Sequence, residues 1–198
     1  RLIFGADRAA KGEIVLDGRP LRIRSPQDAI RQGICLLTED RKAQGLVLGL
    51  SSRENFALPN LGHWSRRGFI AGKEERARFA EYIGSINIKL SHQDQLVRNL
   101  SGGNQQKVLL ARWLESNSDV IIFDEPTRGI DVGAKYEIYL LMNELARAGK
   151  AILMISSELP EVLGMSDRVL VMHQGRINGE IADVRRATQE EVMALAVA

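Results

Sequence analysis

Residues 34–37, 120–123 and 151–155 are continuous apolar runs between polar neighbours. Such runs read as strands covered on both faces, as in a parallel sheet. Between the last two, Ile138, Leu141, Met142 and Leu145 recur at the spacing of one helix face, and Gly149 ends that helix. Strand, helix and strand joined by a right-handed crossover make a βαβ unit. Nearer the start, residues 1–4 read as the tail of a helix closed by Gly5. Residues 12–18 read as a short strand ending in the turn dipeptide Asp17-Gly18, with 21–24 as its return strand. Ser25 caps a helix with Pro26 in its first turn, and Gly33 stops it. After the first apolar run comes a polar loop, 38–45. From 51 to about 91 the chain reads as helical, with Ala77, Ala80 and Ile83 at helical spacing inside 74–86. Residues 168–172 and 176–181 form a late hairpin around Gln174-Gly175, and 188–196 a small final helix. The class is α/β.

Composition narrows the picture. Of 198 residues, 44% are hydrophobic and 26% charged, with 27 Lys and Arg against 25 Asp and Glu. That near-neutral balance argues against a nucleic-acid binder held by charge alone, and there is no basic arm or acidic tail. The single Cys35 excludes a disulfide within the chain and suits a reducing compartment. The longest apolar run, at 192–198, is far below the ~20 residues that span a bilayer. Asp7 and Arg8 interrupt any secretory signal. The chain opens at Arg1 and reads as a piece of a longer protein that starts inside an element.

Two motifs carry chemistry. The strand at 120–123 runs into Asp124 and Glu125. Ligands sit beyond the carboxyl ends of strands in open α/β sheets. One carboxylate there can hold Mg²⁺ through water, and the next can polarise an attacking water. The same residues also suit a plain acidic turn. The second motif, Ser101-Gly102-Gly103, opens a helix running to about Leu114. Free N–H groups at a helix start attract anions, and two glycines allow close approach; an ordinary Ser cap with loop glycines is the alternative. Ser101 and Asp124 are 23 residues apart. A helix travels ~21 Å over ~14 residues, and a strand of ~5 residues returns ~16 Å. Both features therefore fit one compact unit.

At Leu100-Ser-Gly-Gly103, residues 120–125 and Thr127-Arg-Gly-Ile-Asp131 the sequence resembles the nucleotide-binding domain of ABC ATPases, matching in turn their signature motif, Walker B and D-loop. The longer form Leu-Ser-Gly-Gly-Asn-Gln-Gln-Lys, with Thr38-Glu-Asp-Arg-Lys42 upstream, is similar to the second ATPase domain of fused monosaccharide importers of the ribose, xylose and galactose type. The resemblance covers the whole chain. It implies a P-loop NTPase core with a mostly parallel sheet, an antiparallel β edge and a helical subdomain at about 51–98, within one domain spanning 1–198. It implies ATP hydrolysis that energises sugar import, with ATP and Mg²⁺ as cofactors. Ser101, Gly102, Gly103, Gln105 and Asp131 would meet nucleotide, and Asp124 and Glu39 would stand on the metal side. The implied partners are a fused or paired ABC ATPase domain in a head-to-tail dimer, membrane permease subunits and, indirectly, a periplasmic sugar-binding protein, but no nucleic acid. The implied location is the cytoplasmic face of the bacterial inner membrane.

Departures from the family pattern set the expected mechanism. No G-x-x-x-x-G-K-[ST] occurs, so the Walker A cradle and the strand before it are missing and the chain alone should bind ATP weakly. Glu39 occupies the Q-loop glutamine position, where a carboxylate would repel the γ-phosphate unless a cation intervenes; it also suits a solvated loop acid beside Arg41 and Lys42. Ser157 falls on the switch-histidine position and lacks an imidazole's proton chemistry. The expectation is a degenerate site around Glu125 and an intact signature offered in trans to ATP on the partner. A non-catalytic docking module is the alternative. The coiled-coil ABC ATPases of DNA repair are a poorer fit, because only 61 residues lie between Glu39 and Ser101. His63, His92 and His173 share no metal-ligand spacing. Trp64 lies in a different segment from Trp113, which reads as core.

Overall fold

The computed structural model describes residues 1–66 and 68–197. Two of the apolar runs become neighbours: β3 (Ile34–Leu37) pairs in parallel with β6 (Val120–Asp124), Ile34 opposite Val120 and Leu37 opposite Phe123. All of β3 and the centre of β6 are buried, as expected for strands covered on both faces. The buried Cys35 lies in this pair, and burial pushes its thiol up to about 12.

The chain divides into two compact units, residues 1–153 and 154–198. In the first, Gly5 N–H bonds the Leu2 carbonyl and Ala6 N–H the Arg1 carbonyl, with Gly5 at φ 72°. That is the bonding pattern found at helix ends, but here it closes a turn at 2–5 and not a helix. The hairpin of β1 (Ile14–Leu16) and β2 (Arg19–Leu21) is tighter than its sequence suggested. Asp17 and Gly18 both take positive φ, 49° and 74°, a two-residue turn that starts the return strand at Arg19 rather than 21. Helix α1 (Pro26–Arg31) is capped by Ser25, whose Oγ accepts the Asp28 N–H.

The middle of the chain is helical with one interruption. Helices α2 (Ser52–Ala57), α3 (Leu61–Trp64) and α4 (Gly72–Ser85) are broken by a short hairpin of β4 (Ser65–Arg66) and β5 (Phe69–Ile70). The alanines that marked α4 lie on its exposed side, and its buried positions are Glu75 and Phe79. Phe79 stacks on Phe56 of α2 at 4.9 Å, and Glu75 takes Arg53 of α2 at 2.7 Å. Large rings and a buried ion pair decide the face, because alanine has little area to bury.

Helix α5 (Gly102–Glu115) runs back toward β6, and α6 (Val132–Arg147) leads on to β7 (Ala151–Ile155). The sheet order is β3-β6-β7. Unlike β3, β7 alternates, with Leu153 40% and Ile155 43% exposed. The expected cover on both faces is absent in β7, although β3, at the opposite end of the same three strands, is buried throughout. The buried face of α6 carries Ile138, Leu141 and Met142, as the periodicity predicted. Trp64 and Trp113 are both core residues, Trp113 meeting Phe4 edge-on at 5.9 Å.

The second unit has its own small core of Val169, Val171, Val184 and Val192. Strands β8 (Val169–His173) and β9 (Arg176–Ile181) form the expected hairpin on Gln174-Gly175, both at positive φ. Helix α7 (Leu159–Met165) precedes it. Helix α8 (Gln189–Val197) packs on β9 where a Cβ at Gly179 would meet Leu195 at 2.7 Å.

Candidate functional site

Ser101 has extended backbone angles and caps α5. Its Oγ accepts the Asn104 backbone N–H at 3.4 Å and the Asn104 Nδ2 at 2.9 Å. Asn104 is itself fixed, since its Oδ1 accepts the Lys89 N–H at 2.7 Å. The hydroxyl oxygen is thus engaged from one residue, which leaves the O–H as a donor. The first N–H groups of an α-helix have no partner within it, so Gly102 and Gly103 present theirs beyond the helix start. Asp131 caps α6 in the same way, its Oδ1 accepting the Ala134 N–H at 3.0 Å.

The two helix starts meet in one corner. A Cβ at Gly103 would lie 2.6 Å from the Ala134 Cβ, so glycine is required there for the close approach. Ser101, Gly103, Asn104 and Asp131 line a hollow of about 250 Å³ together with Lys89 and Glu137. Lys107 of α5 is buried and holds Glu137 at 2.5 Å, keeping that carboxyl below its ordinary range. Two positive helix ends converge on this hollow with a lysine at its rim, an arrangement that attracts an anion.

A second cluster lies at the carboxyl edge of β3 and β6. The parallel register sets Thr38 and Glu39 of one strand exit beside Asp124 and Glu125 of the other. Glu125 sits at φ 48°, a left-handed conformation that costs a non-glycine residue energy and is common at functional positions. Glu39 does not pair with Arg41 or Lys42; its carboxylate takes Arg128 in an ion pair. Arg41 turns inward instead, its Nη1 donating to the Arg128 carbonyl at 2.8 Å and its Nη2 to the Gly129 carbonyl at 3.2 Å. The Arg1 guanidinium is held above its ordinary value chiefly by Asp7, with the charge of Asp124 adding the smallest share. The carboxylate oxygens of Asp124 are hard donors that suit Mg²⁺. Glu39 fits that role poorly because its charge is met by Arg128.

In its order of motifs and its topology this corner agrees with a known family. The ABC transporter family model matches residues 1–128, well over half of the chain. The chain belongs to the ABC transporter family. It is 55% identical to the ribose import ATP-binding protein RbsA of Oceanobacillus iheyensis over 196 residues, covering 99% of this chain and 39% of that relative. It is 53% identical to the RbsA of Bacillus subtilis, covering 99% of this chain and 40% of that relative. The chain therefore spans about two fifths of the length of the curated relatives it matches. Among solved structures, an ABC transporter cassette superposes with a TM-score of 0.81 at 20% identity, covering all of this chain and 81% of the other. A dimeric ATP-binding cassette bound to ADP and Pi gives 0.74 at 24% identity, covering 93% and 78%. These two show the ABC cassette fold, the class the sequence implied.

Within the ABC chain the candidate residues fall into three places. Ser101, Gly102, Gly103, Gln105 and Asp131 gather at the starts of α5 and α6, with Gln105 buried and donating to the Val97 carbonyl at 3.2 Å. Glu39, Asp124 and Glu125 share the strand edge. Ser157 belongs to the second unit, in the turn before α7, where Ser156 Oγ accepts the Glu158 N–H at 3.0 Å and donates to the buried Glu161. The sequence reading missed Asn104, Lys89 and Arg128. Asn104 stands three residues after the capping serine, the position where a side chain can answer the cap; nothing local marks the other two.

Proposed function

We propose that this chain is one ATPase domain, the second of two, in a monosaccharide-import ATP-binding protein. Its signature corner is offered to ATP gripped by the other domain. The observation that carries the reading is the corner itself: Ser101 is held by Asn104 beside a second capped helix start, with Lys89 at the rim of the hollow. Such a corner supplies a hydroxyl donor, backbone N–H groups and two helix dipoles to a phosphate without further rearrangement. The RbsA relatives support sugar import, and the dimeric cassette with ADP and Pi supports assembly in pairs. Permease subunits in the membrane and a periplasmic sugar-binding protein complete the proposed system, with this domain at the inner face of the bacterial inner membrane. The middle helices, about 51–98, are the surface proposed to meet the permease.

The site around this chain's own Walker B is proposed to be degenerate. Glu125 would polarise water, but Glu39 is drawn to Arg128, and the sequence position of the family's imidazole carries Ser157, which lacks its proton chemistry. Asp124 would hold Mg²⁺ through water, and the ion would neutralise phosphate charge there.

The test is ATP hydrolysis by the full-length protein with each site altered in turn. Ser101→Arg fills the corner and should abolish turnover, whereas Glu125→Gln should leave most of it. Equal losses from the two changes would overturn the assignment of labour between the sites.

A further inference from the structure

Arg41 ties together three segments: the turn after β3, the loop after Glu125 and the start of α5. It starts a single π turn, Arg41–Gly45, that follows Glu39. That turn is anchored at both ends. Asp40 Oδ1 accepts the Lys42 N–H at 3.1 Å and the Ala43 N–H at 3.0 Å, and Arg112 of α5 donates to the Gly45 carbonyl. From this base the Arg41 side chain, half-buried, reaches the Arg128 and Gly129 carbonyls on the loop after Glu125, and its Nε lies 3.4 Å from Gln105 Oε1 near the start of α5. Its Nη2 also lies 2.8 Å from where a Cβ on Gly102 would stand, and the Gly129 carbonyl 3.1 Å from the same point. The guanidinium is therefore wedged between the signature glycine and the D-loop.

Gly129 is at φ 66°, in a region where glycine alone moves freely. Two adjacent carbonyls of that loop accept from one planar fork, which fixes both peptide planes at once. An ammonium group carries the same charge but cannot span two carbonyls and an amide oxygen in this geometry.

We propose that Arg41 is a positioning residue for ATP hydrolysis: it sets the loop 127–130 against Gly102, and so fixes how Ser101 and Asp131 are presented together to bound nucleotide. The proposal rests on the function proposed above. It makes the segment after Glu39 and the signature corner one mechanical unit rather than two independent contacts.

The experiment compares full-length wild type with Arg41→Lys and Arg41→Gln. Steady-state ATPase assays, thermal melting and amide hydrogen exchange are measured on each. Both variants should lose kcat by about 10-fold or more with KM for ATP within about 3-fold, the mark of an interaction made in the transition state. Exchange should quicken together at 104–106 and 128–130, while 108–113 in the middle of α5 stays protected. Faster exchange in only one segment, or in neither, overturns the clamp. Full kcat in Arg41→Lys overturns it too, since charge alone would then suffice. A kcat loss that comes with lost protection at 108–113 and a lowered melting temperature assigns Arg41 a merely structural role and overturns the proposal. If the wild-type protein hydrolyses no ATP, the proposed function fails, and paired or unpaired loosening still decides for or against the clamp.

Discussion

The corner where α5 and α6 begin and the edge where β3 and β6 end both carry chemistry-bearing side chains, yet they are organised in opposite ways. At the corner the anionic and acceptor groups are already turned to partners from the chain. Glu137 is held by Lys107, Asp131 accepts from Ala134, and the Ser101 oxygen accepts from Asn104. Lys89 and the N–H groups of the two helix starts are the donors that this hollow offers. At the edge Glu39, one of the acids, is taken by Arg128, a basic side chain of the same molecule, and Glu125 sits on a strained backbone. A surface set up to receive phosphate needs donors held in advance. One set up to hold a metal and activate water needs carboxylates aimed at the ligand. The corner meets its requirement more completely than the edge does, which is the contrast on which the proposed division of labour rests.

Four changes would sharpen or break this contrast. The largest effect is expected from Ser101→Arg, with ATPase of the full-length protein falling by at least about 100-fold in a kinetic assay. Loss of less than half the activity would mean that the corner is not used. Gly103→Val should come next, because its Cβ has no room against Ala134. A destabilisation of about 2 kcal/mol in denaturant unfolding is expected from such overpacking, and wild-type stability would show that α5 and α6 are not held together there. Asp131→Ala removes a helix cap, costing about 1 kcal/mol in the same measurement, while Asp131→Asn should retain most of it. The smallest effect is expected at the edge: Glu125→Gln should change kcat by less than about 2-fold. A collapse of activity there would erase the difference between the two regions.

Much of this was legible along the chain. Four consecutive buried residues in β3 and three in β6 follow directly from uninterrupted apolar runs, and the caps at Ser25 and Ser101 follow from short polar side chains ahead of helical periodicity. The late hairpin was carried by Gln174-Gly175. Other features depend on partners distant in sequence. Leu153 and Ile155 are exposed although their run is as apolar as that of β3, because an apolar run does not say what packs on its two faces. The buried face of α4 was set by the rings of Phe56 and Phe79, not by its alanine spacing. At the site, Glu39 and Arg128 are 89 positions apart in sequence, and no local pattern announces that they meet. The small hairpin inside the helical middle was missed because four strand residues leave almost no periodic signal.

Cys35 gives the molecule a built-in clock. It is the chain's sole sulfhydryl, it lies fully shielded in the β3–β6 pair, and its thiol stays protonated far above neutral pH. An alkylating reagent at pH 8 finds nothing to attack while those two strands remain together, since the thiolate is the nucleophile. The pace at which iodoacetamide consumes that sulfur thus times the parting of the central sheet, without any label having to be introduced.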